Sequence, residues 1–184
     1  MLLSLWLPII VSAVVLFFAS FLSWMVVQLH KQDWLKLENE DEFLNAAREV
    51  GLKPGNYMFP GVTSSKEMKS EEYQKKMEQG PCGVITVFGE TSMGRNLALT
   101  MLYFLACSFC LAYLATIAFP AETPHVQPEF MDVFRFVATA GFLTFLPAIL
   151  QHAIWFHNRI LGHVIECIVY ALIVGGIFAA LWPS

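Results

Sequence analysis

The chain sets long apolar runs around one long polar segment. Leu2–Leu29 is apolar almost throughout. The run Leu97–Phe119 follows the polar segment, and Val133–Leu150 and Ile160–Trp182 come after a short connection. A hydrocarbon core of about 30 Å needs about 20 helical residues to cross it. The first two runs meet that length. The third meets it if Arg135 lies near the interface, and the fourth meets it while carrying His163 and Glu166. The pattern therefore predicts transmembrane helices over 2–29, 97–119, 133–151 and 160–182, the last two joined by a short turn. The first run lacks a charged lead-in and exceeds the roughly 7–15 apolar residues of a signal peptide, so it reads as a retained helix. Trp6 and Trp24 suit its two aromatic belts, and Pro8 is tolerable near a helix start.

The polar segment, 30–96, has its own periodicities. Asn39 with Glu42 has capping-box spacing. Phe43, Leu44, Ala47 and Val50 then recur at helical intervals up to Gly51, predicting an amphipathic helix over about 40–50. Lys53-Pro54-Gly55-Asn56 reads as a turn. Tyr57-Met58-Phe59 looks extended and is stopped by Pro60-Gly61. Ser64 or Ser65 can cap a second helix over about 65–79, on which Glu71/Lys75 and Glu72/Lys76 are favourable i,i+4 pairs. Gly80-Pro81 ends it, and the β-branched run Val84–Phe88 predicts a strand. Such a lobe makes a marginal core by itself. It is expected to lean on the membrane surface, on the helix ends or on a partner, with Trp34, Leu35 and Leu37 at headgroup level.

Composition and charge give the chain a class and an orientation. Of 184 residues, 57% are hydrophobic and 14% charged, against about 25% charged in soluble domains; the mean hydropathy is +0.57. Nine of the eleven Lys/Arg residues lie between Lys31 and Arg95, the connection 120–130 has none, and Arg159 stands alone in the last turn. The positive-inside rule then puts the 30–96 loop and Arg159 in the cytoplasm and both termini outside. The net charge of −4 gives no sign of nucleic-acid binding.

Few groups suggest chemistry. Glu166 lies about two turns into the fourth helix, with His163 one turn before it. Intramembrane ionisable groups are costly and usually face a bundle interior or a wet cavity. The pair is therefore a candidate proton or cation site with Tyr170 as a neighbour, or else a hydrogen-bonded structural pair near the interface. Asp132 and Arg135 have the spacing of an interfacial ion pair at the outer end of the third helix, and Glu122 or Glu129 can serve as well. His30, His152, His157 and His163 fall on the predicted cytoplasmic side. With Glu166 they could be arranged as a metal site or as axial haem ligands, but the spacings of five and six residues along 152–163 share no helical face, and interfacial histidines without a ligand are expected. Cys107-x-x-Cys110 sits mid-helix, where a thiolate is disfavoured; with Cys82 and Cys167 it predicts four free thiols. Gly89–Gly94 is off the nucleophile-elbow spacing, and no phosphate loop, HExxH, dinucleotide fingerprint or EF-hand loop is present. Ala171, Gly175 and Ala179, with Gly176 and Ala180 beside them, form a small-residue stripe that lets helices approach closely. Packing within the bundle is the first reading of it and a homodimer seam the second.

Several strings together resemble a family of small multi-pass bacterial membrane proteins. They include Leu3-Ser4-Leu5-Trp6-Leu7-Pro8, Tyr57-Met58-Phe59-Pro60, Lys66-Glu67-Met68, Gly80-Pro81-Cys82-Gly83, Met93-Gly94, Val133-Phe134-Arg135, Ile168-Val169-Tyr170-Ala171-Leu172 and Leu181-Trp182-Pro183. The resemblance implies a bacterial inner-membrane location and no particular reaction. Sequences of that kind lack histidines at the positions of His152 and His157 and carry an acidic residue at that of Glu166.

The expectation is an all-α membrane protein, a four-helix bundle with a small mixed α/β cytoplasmic insertion between helices 1 and 2. Its leading function is that of a non-enzymatic structural or accessory subunit, acting through a protein partner or homo-oligomer in the lipid bilayer, without metal or cofactor. The alternative is a small proton- or cation-coupled carrier using Glu166 and His163; a haem or redox protein comes third.

Overall fold

The computed structural model describes residues 2–120 and 127–183. Glu122 lies outside the described residues. The chain forms two compact units, Met1–Trp34 with Met93–Ser184, and Leu35–Ser92.

The first unit is helical. A 3-10 turn, Leu2–Leu5, leads into α1 (Trp6–Phe21), which continues as a π-helical stretch, Leu22–Val27. After the second unit, numbered below, come α4 (Met93–Ala118), α5 (Phe130–Phe145), α6 (Pro147–Phe156) and α7 (Leu161–Ala180). Four stretches, Leu2–Val27, Met93–Ala118, Phe130–Phe156 and Leu161–Ala180, are long and apolar enough to cross a membrane. The third differs from the continuous helix expected over 133–151. Pro147 has no N–H to continue the ladder, so the helix breaks between Phe145 and Pro147. The Phe145 carbonyl at that break accepts a weak bond from the Cys167 thiol at 3.3 Å. All four cysteines are free.

Each helix turns one stripe inward. Leu5, Ile9, Ser12, Ala13 and Leu16 are buried along the first span, and Phe104, Ser108, Leu111, Ala112 and Ala115 along α4. These are helical intervals of three and four, the narrow inward face of a helix whose other sides lie outside the bundle. Helix α7 buries the widest face, because it packs on both α1 and α5. The interior falls into two layers. One joins Leu5, Leu111, Val133, Val137, Val174 and Phe178 and is wholly apolar; the other gathers Leu16, Phe104, Phe145, Cys167 and Tyr170.

Glycine lets α5 and α7 approach. A Cβ on Gly175 would stand 2.8 Å from the Ala138 Cβ and 3.0 Å from the Phe134 carbonyl, and one on Gly141 2.9 Å from Val174 Cγ1. Ala171 and Gly175 thus face α5, while Gly176 has open space around it. Asp132 and Arg135 are both exposed, and no ion pair joins them among the described residues. Long exposed side chains gain little from a fixed pairing that water can replace.

The second unit contains α2 (Glu40–Val50), β1 (Gly55–Phe59), α3 (Glu71–Gln79) and β2 (Gly83–Val87). The strands pair antiparallel with Gly55 opposite Val87 and Phe59 opposite Gly83. Gly51, at φ +73°, closes α2, a conformation that costs glycine little. The Asn39 side chain makes no capping bond. Its φ and ψ of −106° and 58° lie away from the extended backbone typical of an N-cap. Ser70 is the cap of α3 instead, accepting from the Tyr73 N–H at 3.2 Å. Ser64 caps the preceding 3-10 turn, where it accepts from the Glu67 N–H, and the Glu67 carboxylate accepts from the Thr63 N–H at 2.7 Å. Those Thr63 bonds hold the Glu67 carboxyl below its ordinary range, as the Lys76 ammonium at 2.6 Å does for Glu72. No residue from 35 to 92 is buried.

The α5–α7 contact can be tested with neighbouring glycines. Gly175→Leu forces a side chain into backbone atoms of α5 and should destabilise by about 1–3 kcal/mol. Gly176→Leu should change stability by less than about 0.5 kcal/mol. Denaturant titration in detergent, followed by circular dichroism, separates the two.

Candidate functional site

A carboxylate in an apolar helix demands partners. Glu166 on α7 is 7% exposed, and three groups from two parts of the chain meet it. The Tyr170 hydroxyl, one turn on, donates to Oε1 at 3.0 Å. The His30 Nε2 lies 3.1 Å from Oε2, and His163 Nδ1 is 4.0 Å from the same oxygen.

His30 reaches this place because of how the first span ends. The π-helical stretch closes at Gln28, which takes the left-handed conformation at φ 54°. The Leu29 N–H then donates back to the Ser23 carbonyl at 3.0 Å, and turns follow from Lys31 to Gln28 and from Asp33 to His30. π-Helical turns are rare and often found at functional sites. The backbone doubles back, and the His30 ring enters the bundle, 3% exposed. It stacks on Trp24 with centroids 4.1 Å apart and planes at 18°. Its other side is open only because residue 162 is glycine. A Cβ there would stand 3.0 Å from the His30 Cε1 and Nδ1 and 3.2 Å from the Leu29 carbonyl. Arg159 ties the same region together by donating to Gln32 Oε1 at 2.9 Å.

Asp33 decides which ring nitrogen carries the proton. Its Oδ2 lies 2.7 Å from His30 Nδ1, and a carboxylate can only accept. We therefore assign the proton to Nδ1. Nε2 is buried and makes no hydrogen bond, although Oε2 of Glu166 lies 3.1 Å away: with the proton on Nδ1 it has no N–H to donate.

Of the residues expected to form a site, Glu166, His163 and Tyr170 do come together. His30 and Asp33 complete the cluster; His30 was set aside with the other cytoplasmic-side histidines because the spacings along 152–163 share no helical face, and Asp33 was missed. The available signal was topological: the end of helix 1 and the start of helix 4 fall on the same predicted face. His152 is exposed and lies 3.0 Å from the Asn158 amide, and His157 is exposed with φ 53° at the end of α6. Neither joins the cluster. The architecture is consistent with a multi-pass membrane protein. Comparison with protein-family models, with curated proteins and with solved structures finds no match.

The cluster predicts energetic coupling. A double-mutant cycle of His30→Ala with Glu166→Gln should return about 0.5–3 kcal/mol of interaction energy, and one of His152→Ala with Glu166→Gln none beyond about 0.5 kcal/mol. Reversible unfolding in mixed detergent micelles provides the measurement.

Proposed function

We propose that this protein is a non-enzymatic, multi-pass accessory subunit of a bacterial inner membrane that works by holding a protein partner on its 35–92 lobe. One observation carries the reading: those 58 residues bury no side chain. A small unit with no fully buried residue gains little stability from its own core. Its apolar groups are nonetheless large and outward, with Met58 59%, Val50 76% and Phe88 71% exposed. Large exposed apolar patches mark interaction sites. An anionic membrane surface is a poor candidate for the cover, since the lobe carries ten Asp/Glu against seven Lys/Arg and lipid headgroups attract basic segments. The concentration of Lys/Arg between the first and second spans supports a cytoplasmic lobe with both termini outside.

Gentle extraction from native membranes followed by native mass spectrometry tests this. We expect a particle heavier than the 20.7 kDa chain with a second polypeptide bound. Met58→Asp with Phe88→Asp should reduce that polypeptide at least about tenfold, leaving the helical signal intact. A lone monomer, or a partner indifferent to both substitutions, overturns the reading.

The buried cluster around Glu166 favours a second reading, a proton- or cation-coupled carrier using Glu166, His163 and Tyr170. Against it, the buried polar side chains among the described residues are, besides His30, Glu166 and Tyr170, only Ser12 and Ser108, hydroxyls without hydrogen-bond partners. A carrier requires ion flux in reconstituted vesicles that Glu166→Gln abolishes. We expect wild-type vesicles to match protein-free ones.

A further inference from the structure

We propose that His30 Nε2, Glu166 Oε2 and the His163 imidazole form a binding site for one divalent transition-metal ion of the zinc class. The inference does not depend on the association proposed above. Its first support is convergence. One ligand atom from each of the three residues lies within 4.8 Å of the other two, although His30 stands more than 130 positions from the others in sequence. In a tetrahedral zinc site, bonds of about 2.0–2.2 Å place ligand atoms about 3.3–3.5 Å apart. The separations of 3.1 and 4.0 Å from Oε2 bracket that range and the two imidazoles lie within 4.8 Å, so side-chain rotations can close the site.

The second support is the proton on His30. With Nδ1–H donated to Asp33, a neutral ring turns the Nε2 lone pair into the bundle, 3.1 Å from a carboxylate oxygen. Two electron-rich atoms at that distance repel unless a cation lies between them or one of them is protonated. Nε2 is buried and has no hydrogen-bond partner, as a nitrogen aimed at a ligand position would be. A carboxylate behind a metal-binding imidazole is the usual supporting arrangement, orienting the ring and raising its basicity. The Tyr170 bond to Oε1 supports Glu166 in the same way and leaves Oε2 free. Trp24 and Gly162 fix the ring plane. The His163 side chain, 31% exposed, gives an ion its way in. Two imidazoles and one carboxylate suit zinc and its neighbours better than calcium or magnesium, which prefer all-oxygen sites. With three protein ligands, a fourth position is left for water.

The test uses the untagged full-length protein in detergent, stripped with chelator, loaded with Zn²⁺ or Co²⁺ and desalted. We expect about one retained equivalent, visible Co²⁺ bands of a tetrahedral N/O site, and no near-ultraviolet thiolate charge-transfer band. His163→Ala and Glu166→Gln should lose the retained ion, His152→Ala should keep it, and Asp33→Asn should weaken binding about 10–100-fold. If Glu166→Gln fails to fold, the half-buried His163→Ala decides the matter. Wild-type protein that retains no ion, retention unchanged in His163→Ala, or a thiolate band that assigns the ion to cysteine overturns the proposal.

Discussion

Glu166 is the constraint around which one end of the bundle is organised. A carboxylate that enters an apolar interior without partners is expensive by several kcal/mol, and α7 alone supplies only Tyr170 and a distant His163. The third group, His30, comes from the first span, and it offsets that cost only where a cation or a proton lies between its Nε2 and the carboxylate; the backbone there departs from a regular helix to bring it in. A π-helical stretch, a left-handed Gln28 and two tight turns bring His30 inward. Each departure is unfavourable locally. Together they place an imidazole beside the carboxylate, and Gly162 makes room for it. Trp24 stacks on that ring and Gly162 lies against it.

The two units solve the problem of apolar surface in opposite ways. In the bundle, outward apolar side chains suit hydrocarbon, and the inward stripes are narrow because four helices share a small interior. Close packing then depends on glycine and alanine, as where Gly175 lies against Ala138 and Phe134. In the lobe, which the proposed reading places in water, Met58, Phe59, Val84 and Phe88 remain outside. The same outward apolar face that needs no explanation in the bundle needs a cover in the lobe. This contrast gives the association reading its physical basis.

Much of the architecture was legible in the sequence because it follows from length and period. Runs of about 20 apolar residues, a five-residue β-branched segment and a helix closed by glycine each depend on local physics. The failures came where two remote segments, or a single atom, decide the outcome. Pro147 lay inside an apolar run, and hydropathy cannot see a missing N–H. Asn39 and Glu42 had the spacing of a capping box, but the backbone at Asn39 does not turn its side chain toward the helix. His30 was judged by its neighbours in sequence. Periodicity within one helix finds His163 with Glu166, whereas the third group arrives through a turn whose geometry no pattern announces. Glu166 itself was visible, since a lone acid in an apolar run stands out by composition alone.

The polar cluster also has a direction. It lies where the first span ends and the fourth begins, and the opposite layer of the interior is closed by aliphatic and aromatic side chains. The proposed site would therefore be reached past the part-exposed His163, from the end of the bundle at which it lies. The ends of these helices carry Lys31 and Arg159, on the side that the proposed orientation places in the cytoplasm. Transport would require the aliphatic layer to open, and four tightly packed helices with glycine at their closest contact leave little slack for that.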